Sequence, residues 1–391
     1  MEFDMKTLFT LLFLAPVTMA NQAIDNGRTP EISASLSNEM IVSIGAEDGA
    51  SHEMLGTNSC FAVSKENHIV VLDPAEYRVL IFNEDGQYQT SFGHKGQGPG
   101  EFQTPSEIAI DPQNRVWVFD AGSKAISIFK LDGTWLENRE LPPSVVAVIA
   151  PFILESGKLV FTAVKLDPNF QQVYVLGTMG KTKASFQAIT SLPTAKMDWS
   201  KMSEPGFWEH FLVTHFNAVG NGLPIASSLG NQFVVFNTAE FKGTCYSQNG
   251  KPLWSMTQQY KPRAFQQASR LALCETIYEN IQSSGGPVGN MLNDAVFRSA
   301  YKKAELPEFM LPIDTLFQWD QGFGVLTNYD SQLQNGQINL YDKNGVYKYS
   351  GTYNGVDNVK LLSGNMLYTS GVNKDDIMTV QKHRIIGLVS N

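Results

Sequence analysis

Cysteine is almost absent from this chain: three in 391 residues, at Cys60, Cys245 and Cys274. So few cannot form the disulfide framework of a small secreted domain, and none stands at the paired spacing of a zinc site. Cys245 and Cys274 are one candidate pair, with buried free thiols as the alternative. Basic runs are missing as well, and the formal charge is −9. That balance argues against nucleic acid, because neutralising phosphates takes clustered Lys and Arg. The six histidines are scattered. His210 and His215 fit neither the helical nor the strand spacing of a metal pair. There is no His-Glu-x-x-His, no nucleophile elbow and no low-complexity tract. No apolar run reaches the roughly 20 residues of a membrane-spanning helix, so no transmembrane segment is expected.

What is present begins with an export signal. Lys6 supplies one positive charge, residues 8–17 are apolar, and Thr18-Met19-Ala20 ends on a small residue for cleavage. Residues 1–20 therefore read as a signal peptide, with Met5 as an alternative start to Met1 and a buried N-terminal helix as the alternative reading. No cysteine follows the apolar run, so a lipid anchor is not expected. The mature protein is expected to be exported, to a periplasmic or extracellular destination.

The remainder is a repeat. Residues 60–88 align without a gap on residues 107–135, an offset of 47. A period of that size marks a propeller or a solenoid. Each unit has an apolar strand, a polar turn with Asn67 or Asn114, a second strand ending in Asp73 or Asp120, and a third strand. An Asp-Gly hairpin and a more polar fourth strand complete it. Rising polarity suits a sheet with one edge in a core and the other in water. Weaker copies follow, giving blades near 59–93, 106–141, 147–187, 215–256, 312–352 and 356–389. The last copy lacks a strand, and residues 39–44 (EMIVSI) offer it from the other end of the chain. The expected fold is all-β: a six-bladed propeller of four-stranded antiparallel blades over residues 38–391. A parallel β-helix is disfavoured because its coils are shorter and lack these hairpins.

Residues 93–133 (GHKGQGPGEFQTPSEIAIDPQNRVWVFDAGSKAISIFKLDG) resemble an NHL repeat. They have the Gly-rich lead, the Gly-x-Phe-x-x-Pro step, the apolar-Asp turn and the Asp-Gly hairpin. The chain is most similar to bacterial secreted six-bladed propellers with NHL-like blades, over residues 59–141. It departs where that family has Asn-His-Arg after the strand: here stand Ala121-Gly122-Ser123-Lys124. Two functions are compatible with the resemblance. One is a non-catalytic binding or scaffold propeller for a protein, peptide or glycan, without a cofactor. The other is a metal-dependent lyase or lactonase with a cation such as Ca²⁺ in the channel. Glu107, Asp314, Asp357 and Asn358 are the ligands that could be gathered for it. Asp73 and Asp120 could also hold Ca²⁺, though a carboxylate there more often bonds backbone N–H groups of its own loop.

Two stretches break the pattern. Residues 193–214 read as an irregular insertion between blades 3 and 4. Residues 261–310 read as a helical insertion between blades 4 and 5, with helices near 264–282 and 292–304. Both lie between the last strand of one blade and the first of the next, as does the Gly96-Gln97-Gly98-Pro99-Gly100 crossing. That crossing lacks the helix and the Lys-Ser/Thr pair of a phosphate loop. All three should crowd one face. Elaborated loops on a rigid scaffold are where binding usually resides. The contact candidates are therefore Tyr77, Arg78, His94, Lys95, Lys124, Trp208, His210 and Tyr329.

Overall fold

The computed structural model describes residues 22–388, apart from 33–34, 57, 167–171, 181–185, 192–197, 202, 205, 221–223, 284–291, 331–332, 357 and 376. Residues 1–20 and Asp357 thus lie outside the described residues. The chain opens on β1 (Gln22–Asn26) and β2 (Ser35–Ile44). Blade 1 follows as β3–β6 (Cys60–Val63, Ile69–Asp73, Arg78–Phe82, Tyr88–Phe92), and blade 2 as β7–β10 (Pro105–Ile110, Val116–Asp120, Ala125–Phe129, Trp135–Glu140). Blade 3 is β11–β14 (Val145–Ile153, Leu159–Leu166, Gln172–Met179, Phe186–Ser191) and blade 4 is β15–β18 (Pro224–Leu229, Gln232–Asn237, Lys242–Ser247, Pro252–Gln258). Blade 5 is β19–β22 (Thr315–Trp319, Gly322–Asp330, Asn335–Asp342, Tyr347–Asn354), and blade 6 is β23–β25 (Asn358–Ser363, Met366–Val372, Met378–Ile386) with β2 as its outer strand.

Burial follows the order of strands within a blade. The second strands Ile69–Asp73 and Val116–Asp120 are buried throughout, whereas Tyr88–Phe92 and Trp135–Glu140 alternate between half-buried and exposed. The core lies between blades. Val70, Leu72, Val79 and Ile81 of blade 1 pack on Ile108, Val116, Val118 and Phe129 of blade 2. Each such side chain contributes roughly 1.5–3 kcal/mol. The outer hairpins share one geometry. Gly86, Gly133, Gly250 and Gly345 have φ of +78°, +84°, +76° and +82°. Each donates its N–H three residues back, to Asn83, Lys130, Ser247 and Asp342. That is a tight turn closed by a left-handed residue, which glycine adopts without a Cβ clash.

The N-terminal segment closes the ring. β2 pairs antiparallel with β25 from Ser37↔Ile386 to Ile44↔Val380. It also pairs in parallel with β22, and β23 pairs in parallel with β19, so blades 5 and 6 are hydrogen-bonded at both their inner and outer strands. Upstream, β1 adds a fifth strand to blade 4, parallel to β18. The Asn26 side chain then donates to Gly345 O and accepts from Tyr347 N, fastening blade 5. Sequence reading began the propeller at residue 38 and missed β1. A five-residue polar edge strand, QAIDN, carries no periodicity to read.

His383 sits in this seam and is 1% exposed. Its Nδ1 lies 3.0 Å from Asn38 Nδ2, and its Nε2 lies 3.1 Å from Gln381 Oε1. An amide N–H₂ facing Nδ1 and an amide oxygen facing Nε2 assign the neutral tautomer protonated at Nε2. Burial pushes its pKa down to about 4. Below an unfolded pKa near 6.5 the unfolded chain takes up a proton that the folded seam refuses. Stability should therefore fall by about 3 kcal/mol from this group as the pH drops from about 6.5 to about 4. Urea titrations across that window should show the loss in the wild type and a shallower one in His383→Gln. Equal slopes would exclude His383 as its source.

The insertions differ from the sequence expectation in one respect. The stretch read as irregular forms a one-turn helix at Trp199–Lys201 and then α1 (Phe207–Gly220), so blade 4 starts at Pro224 and not near 215. The segment FWEHFLVTHFNAVG has several poor helix formers, and tertiary packing overrides their propensity. The second insertion carries α2 (Gln267–Ser283) and α3 (Asp294–Lys303). The three helices pack on one another around Trp208, Phe211, Leu212, Phe216, Cys274 and Phe297. Glu209 of α1 accepts from Ser299 and Lys303 of α3. A paired stem joins this lobe to the ring, through Phe265 N to Glu308 O and Met310 N to Arg263 O, each 2.9 Å. All three cysteines are free thiols; Cys245 is in blade 4 and Cys274 in the lobe.

Candidate functional site: the mouth of the central channel

In a ring of four-stranded antiparallel blades, the first-to-second and third-to-fourth turns share one face. The second-to-third loops and the blade-to-blade crossings share the other. The helical lobe, entered from β14, β18 and its stem, belongs to the crossing face. Arg263 of the stem confirms this placement by reaching Asn328 O and Asp330 at the end of β20.

A cavity of about 1080 Å³ opens on the opposite face, among the short turns. All six innermost strands reach it with their C-terminal ends. Five present aliphatic residues there: Val63, Ile110, Ile153, Leu229 and Leu361. The sixth, β19, presents Gln318 and Trp319. Above this collar stands a rim of turn residues, among them Lys65, Asp111, Glu155, Asp320, Gln321 and Lys343. The rim is built from blade pairs. Blades 1 and 2 are joined by Lys65 N to Asn114 Oδ1 at 3.0 Å. Blades 3 and 4 are joined by Glu155 N to Gly230 O at 3.2 Å and Ser156 N to Asn231 Oδ1 at 2.6 Å. Blades 5 and 6 are joined by Gly364 N to Asp320 Oδ2 at 2.5 Å. Asn67 and Asn114 make these turns with φ of +62° and +57°, a conformation that asparagine tolerates better than most residues. Turn-to-turn bonds of this kind hold a mouth open at fixed width.

Asp111 is consumed locally. It accepts from Arg115 Nε at 2.6 Å, from Trp117 Nε1 at 3.0 Å, and from the N–H groups of Gln113 and Arg115. Asp342 takes the N–H groups of Asn344 and Val346. Deeper, toward the other end of the channel, lie Cys60 and Glu107, roughly 10 Å along their strands from Val63 and Ile110. Burial raises the Glu107 carboxyl, against the Lys360 ammonium and the Ala150 N–H, which it accepts at 3.3 Å. Burial, with Glu107 adding to it, pushes the Cys60 thiol up to about 12. Such a thiol is not a nucleophile at neutral pH.

Three of the four candidate metal ligands fall among the described residues, and each has a partner of its own. Glu107 is held by Ala150 of blade 3, Asp314 Oδ2 accepts Tyr329 N at 2.9 Å, and Asn358 Nδ2 donates to Ser370 Oγ at 3.3 Å. Among the described residues no three His, Cys, Asp or Glu side chains gather as a metal cluster. Asp73 Oδ2 pairs with Arg78 at 3.0 Å, while its buried Oδ1 has no hydrogen-bond partner among the described residues. Asp120 accepts four backbone N–H groups, from Gln103, Thr104, Gly122 and Ser123.

Of the eight contact candidates, three are taken up by the fold. Trp208 is 8% exposed, packed edge-on against Phe207 and Phe211, so it holds the lobe together and offers no anchor. Arg78 is spent on Asp73, Ser51 O and Met54 O. Tyr329 is half-buried, its hydroxyl donating to Gly355 O at 3.0 Å. Tyr77 is half-buried under Lys95, whose Nζ lies 5.1 Å from its ring centre. His94 is exposed and pairs with Glu101 at 2.9 Å in the same crossing. Lys124 and His210 are exposed, in blade 2 and the lobe. Lys95 thus links the loop of Tyr77 to the crossing that carries His94. Sequence reasoning missed the channel rim. The available signal was the residue ending each innermost strand together with the first turn residue after it.

Comparison with known proteins agrees with this architecture. Residues 58–205, spanning blades 1–3, match a family model described as a 6-bladed beta-propeller. A protein of Bacteroides fragilis described as exported superposes at a TM-score of 0.50 and 14% identity, over 93% of this chain and all of that one. The chain is a six-bladed β-propeller. A 60-residue stretch is 37% identical to the human NHL repeat-containing protein 3, covering 15% of this chain and 17% of that protein. A gluconolactonase of Xanthomonas campestris superposes at a TM-score of 0.46 and 12% identity, over 92% of this chain and 98% of that one. No helix among the described residues is long and apolar enough to cross a membrane.

Proposed function

We propose that this propeller is an exported, non-catalytic binding module that receives a protein, peptide or glycan end-on at the mouth of its central channel. One observation carries the reading: the cavity of about 1080 Å³ is walled by all six innermost strands, and its rim is fixed by bonds between turns. Preformed concave sites with an apolar wall and a few placed polar groups are where ligands bind. The polar groups of the rim arrive from separate blades. The helical lobe on the other face offers a second surface, but its large aromatic side chains are spent on its own core.

The test is a thermal-shift screen of oligosaccharides and peptides on the full chain, on Lys65→Trp/Ser363→Trp, which narrows the mouth, and on a variant with residues 266–307 replaced by a short linker. A ligand at about a hundredfold excess over its Kd should raise the melting temperature by about 3 °C. The shift should vanish in the narrowed variant and persist without the lobe. The reverse pattern would move binding to the insertion-bearing face and overturn the channel reading.

A further inference from the structure

We infer that the ligand received at this mouth is the end of a neutral oligosaccharide, recognised by the side-chain amides of Gln318, Gln321 and Asn344 on the rim of blade 5. The inference rests on the channel reading above and narrows it. These three amides line the cavity and make no hydrogen bond among the described residues. Gln318, Gln321 and Asn344 are also exposed, while the Trp319 beside them is buried. A primary amide presents a donor pair and an acceptor side by side. A sugar hydroxyl both donates and accepts, so vicinal hydroxyls match such a group from either side.

Charge supports a neutral ligand. The cavity lining carries the ammoniums Lys65, Lys343 and Lys348 and the carboxylates Asp111, Glu155, Asp320 and Asp342; of these Lys348 pairs with Glu31, Asp111 pairs with Arg115, and Asp342 accepts two backbone N–H groups. No sign of charge is left unopposed. A peptide end would bring an ammonium or a carboxylate to a mouth without a matching excess, and a sugar acid would meet the same difficulty. Size points the same way. The cavity, about 1080 Å³, is at the upper limit of sites for single small molecules, about 300–1,000 Å³. It has room for the last few units of a chain while the remainder stays in solvent.

An array of neutral and acidic oligosaccharides, probed with the mature protein, tests this. Neutral members should bind, with a Kd that changes less than about twofold between about 0.05 and 0.5 M salt. The triple variant Gln318→Leu/Gln321→Leu/Asn344→Leu should lose about tenfold or more in affinity, since several hydrogen bonds go unmade. Its thermal stability should be unchanged, because those side chains support nothing else. Silence of every neutral glycan, or salt-sensitive binding of acidic glycans alone, overturns the inference. If a peptide pool stabilises the wild type and not Lys65→Trp/Ser363→Trp, the channel reading stands and the glycan inference falls.

Discussion

Asp120→Ala should cost about 3–5 kcal/mol of folding stability, read as a lower urea midpoint at unchanged slope. The carboxylate is 1% exposed. Its Oδ2 takes Gln103 N at 2.6 Å, and its Oδ1 takes Thr104, Gly122 and Ser123 N at 2.9–3.0 Å. One side chain thus clasps the loop after its own strand to the crossing that leads into its blade. Alanine would orphan four backbone donors at once, each worth about 1–3 kcal/mol where no replacement partner reaches it. Asp120→Asn should fall between, because one amide oxygen can still accept while the amide N–H₂ faces donors. Asp73→Ala should cost less than half as much, since Arg78 keeps Ser51 O and Met54 O as acceptors. If Asp120→Ala loses under about 1 kcal/mol, the clasp is not what holds these loops.

Gly351→Val should be as damaging, by a different route. A Cβ at Gly351 would stand 2.1 Å from Leu36 O and 2.4 Å from Leu36 Cα. Backbone atoms at that distance cannot yield by a rotamer change, so β2 must leave β22. Leu36, 2% exposed and part of the core of blades 5 and 6, would be pulled out with it. Loss of a buried leucine together with the strand pairing predicts about 4 kcal/mol or more, and a broader melting transition as blade 6 frays. Gly27→Ala is the control. Nothing lies within 4 Å of its added Cβ, and its stability should stay within about 0.5 kcal/mol of wild type. A wild-type melting curve for Gly351→Val would show that the ring does not depend on this contact.

The legible parts of the fold were those written in local pattern. Blades 1 and 2 repeat without a gap, and each hairpin glycine marks a turn that needs positive φ. The strand that closes blade 6 was visible because the last copy lacked one and the apolar-rich residues 39–44 precede the first full unit. Strand β1 was not visible, because five polar residues pairing in parallel at an edge have no face to bury. Helix α1 was hidden by aromatic and β-branched residues whose helical state is decided by α2 and α3, distant in sequence. The candidate site was illegible for a related reason. Elaborated loops draw attention in a sequence, whereas the cavity is made by short turns from six separate places. Only ring closure brings Lys65, Glu155 and Gln318 around one opening. Burial of Trp208 and the engagement of Arg78 were hidden in the same way, since a loop residue reveals nothing about what will cover it.

The seam also sets an order of events for a chain made from its N-terminus. Strand β2 is among the earliest structured segments to emerge, and its partner β25 is among the last; Asn38 and His383 meet across 345 positions of sequence. Until β25 arrives, β2 has an open edge and an unclaimed apolar face. Such an edge is a template for wrong pairing. The interval before the ring shuts, more than the finished ring, is therefore when this protein depends on its cellular surroundings.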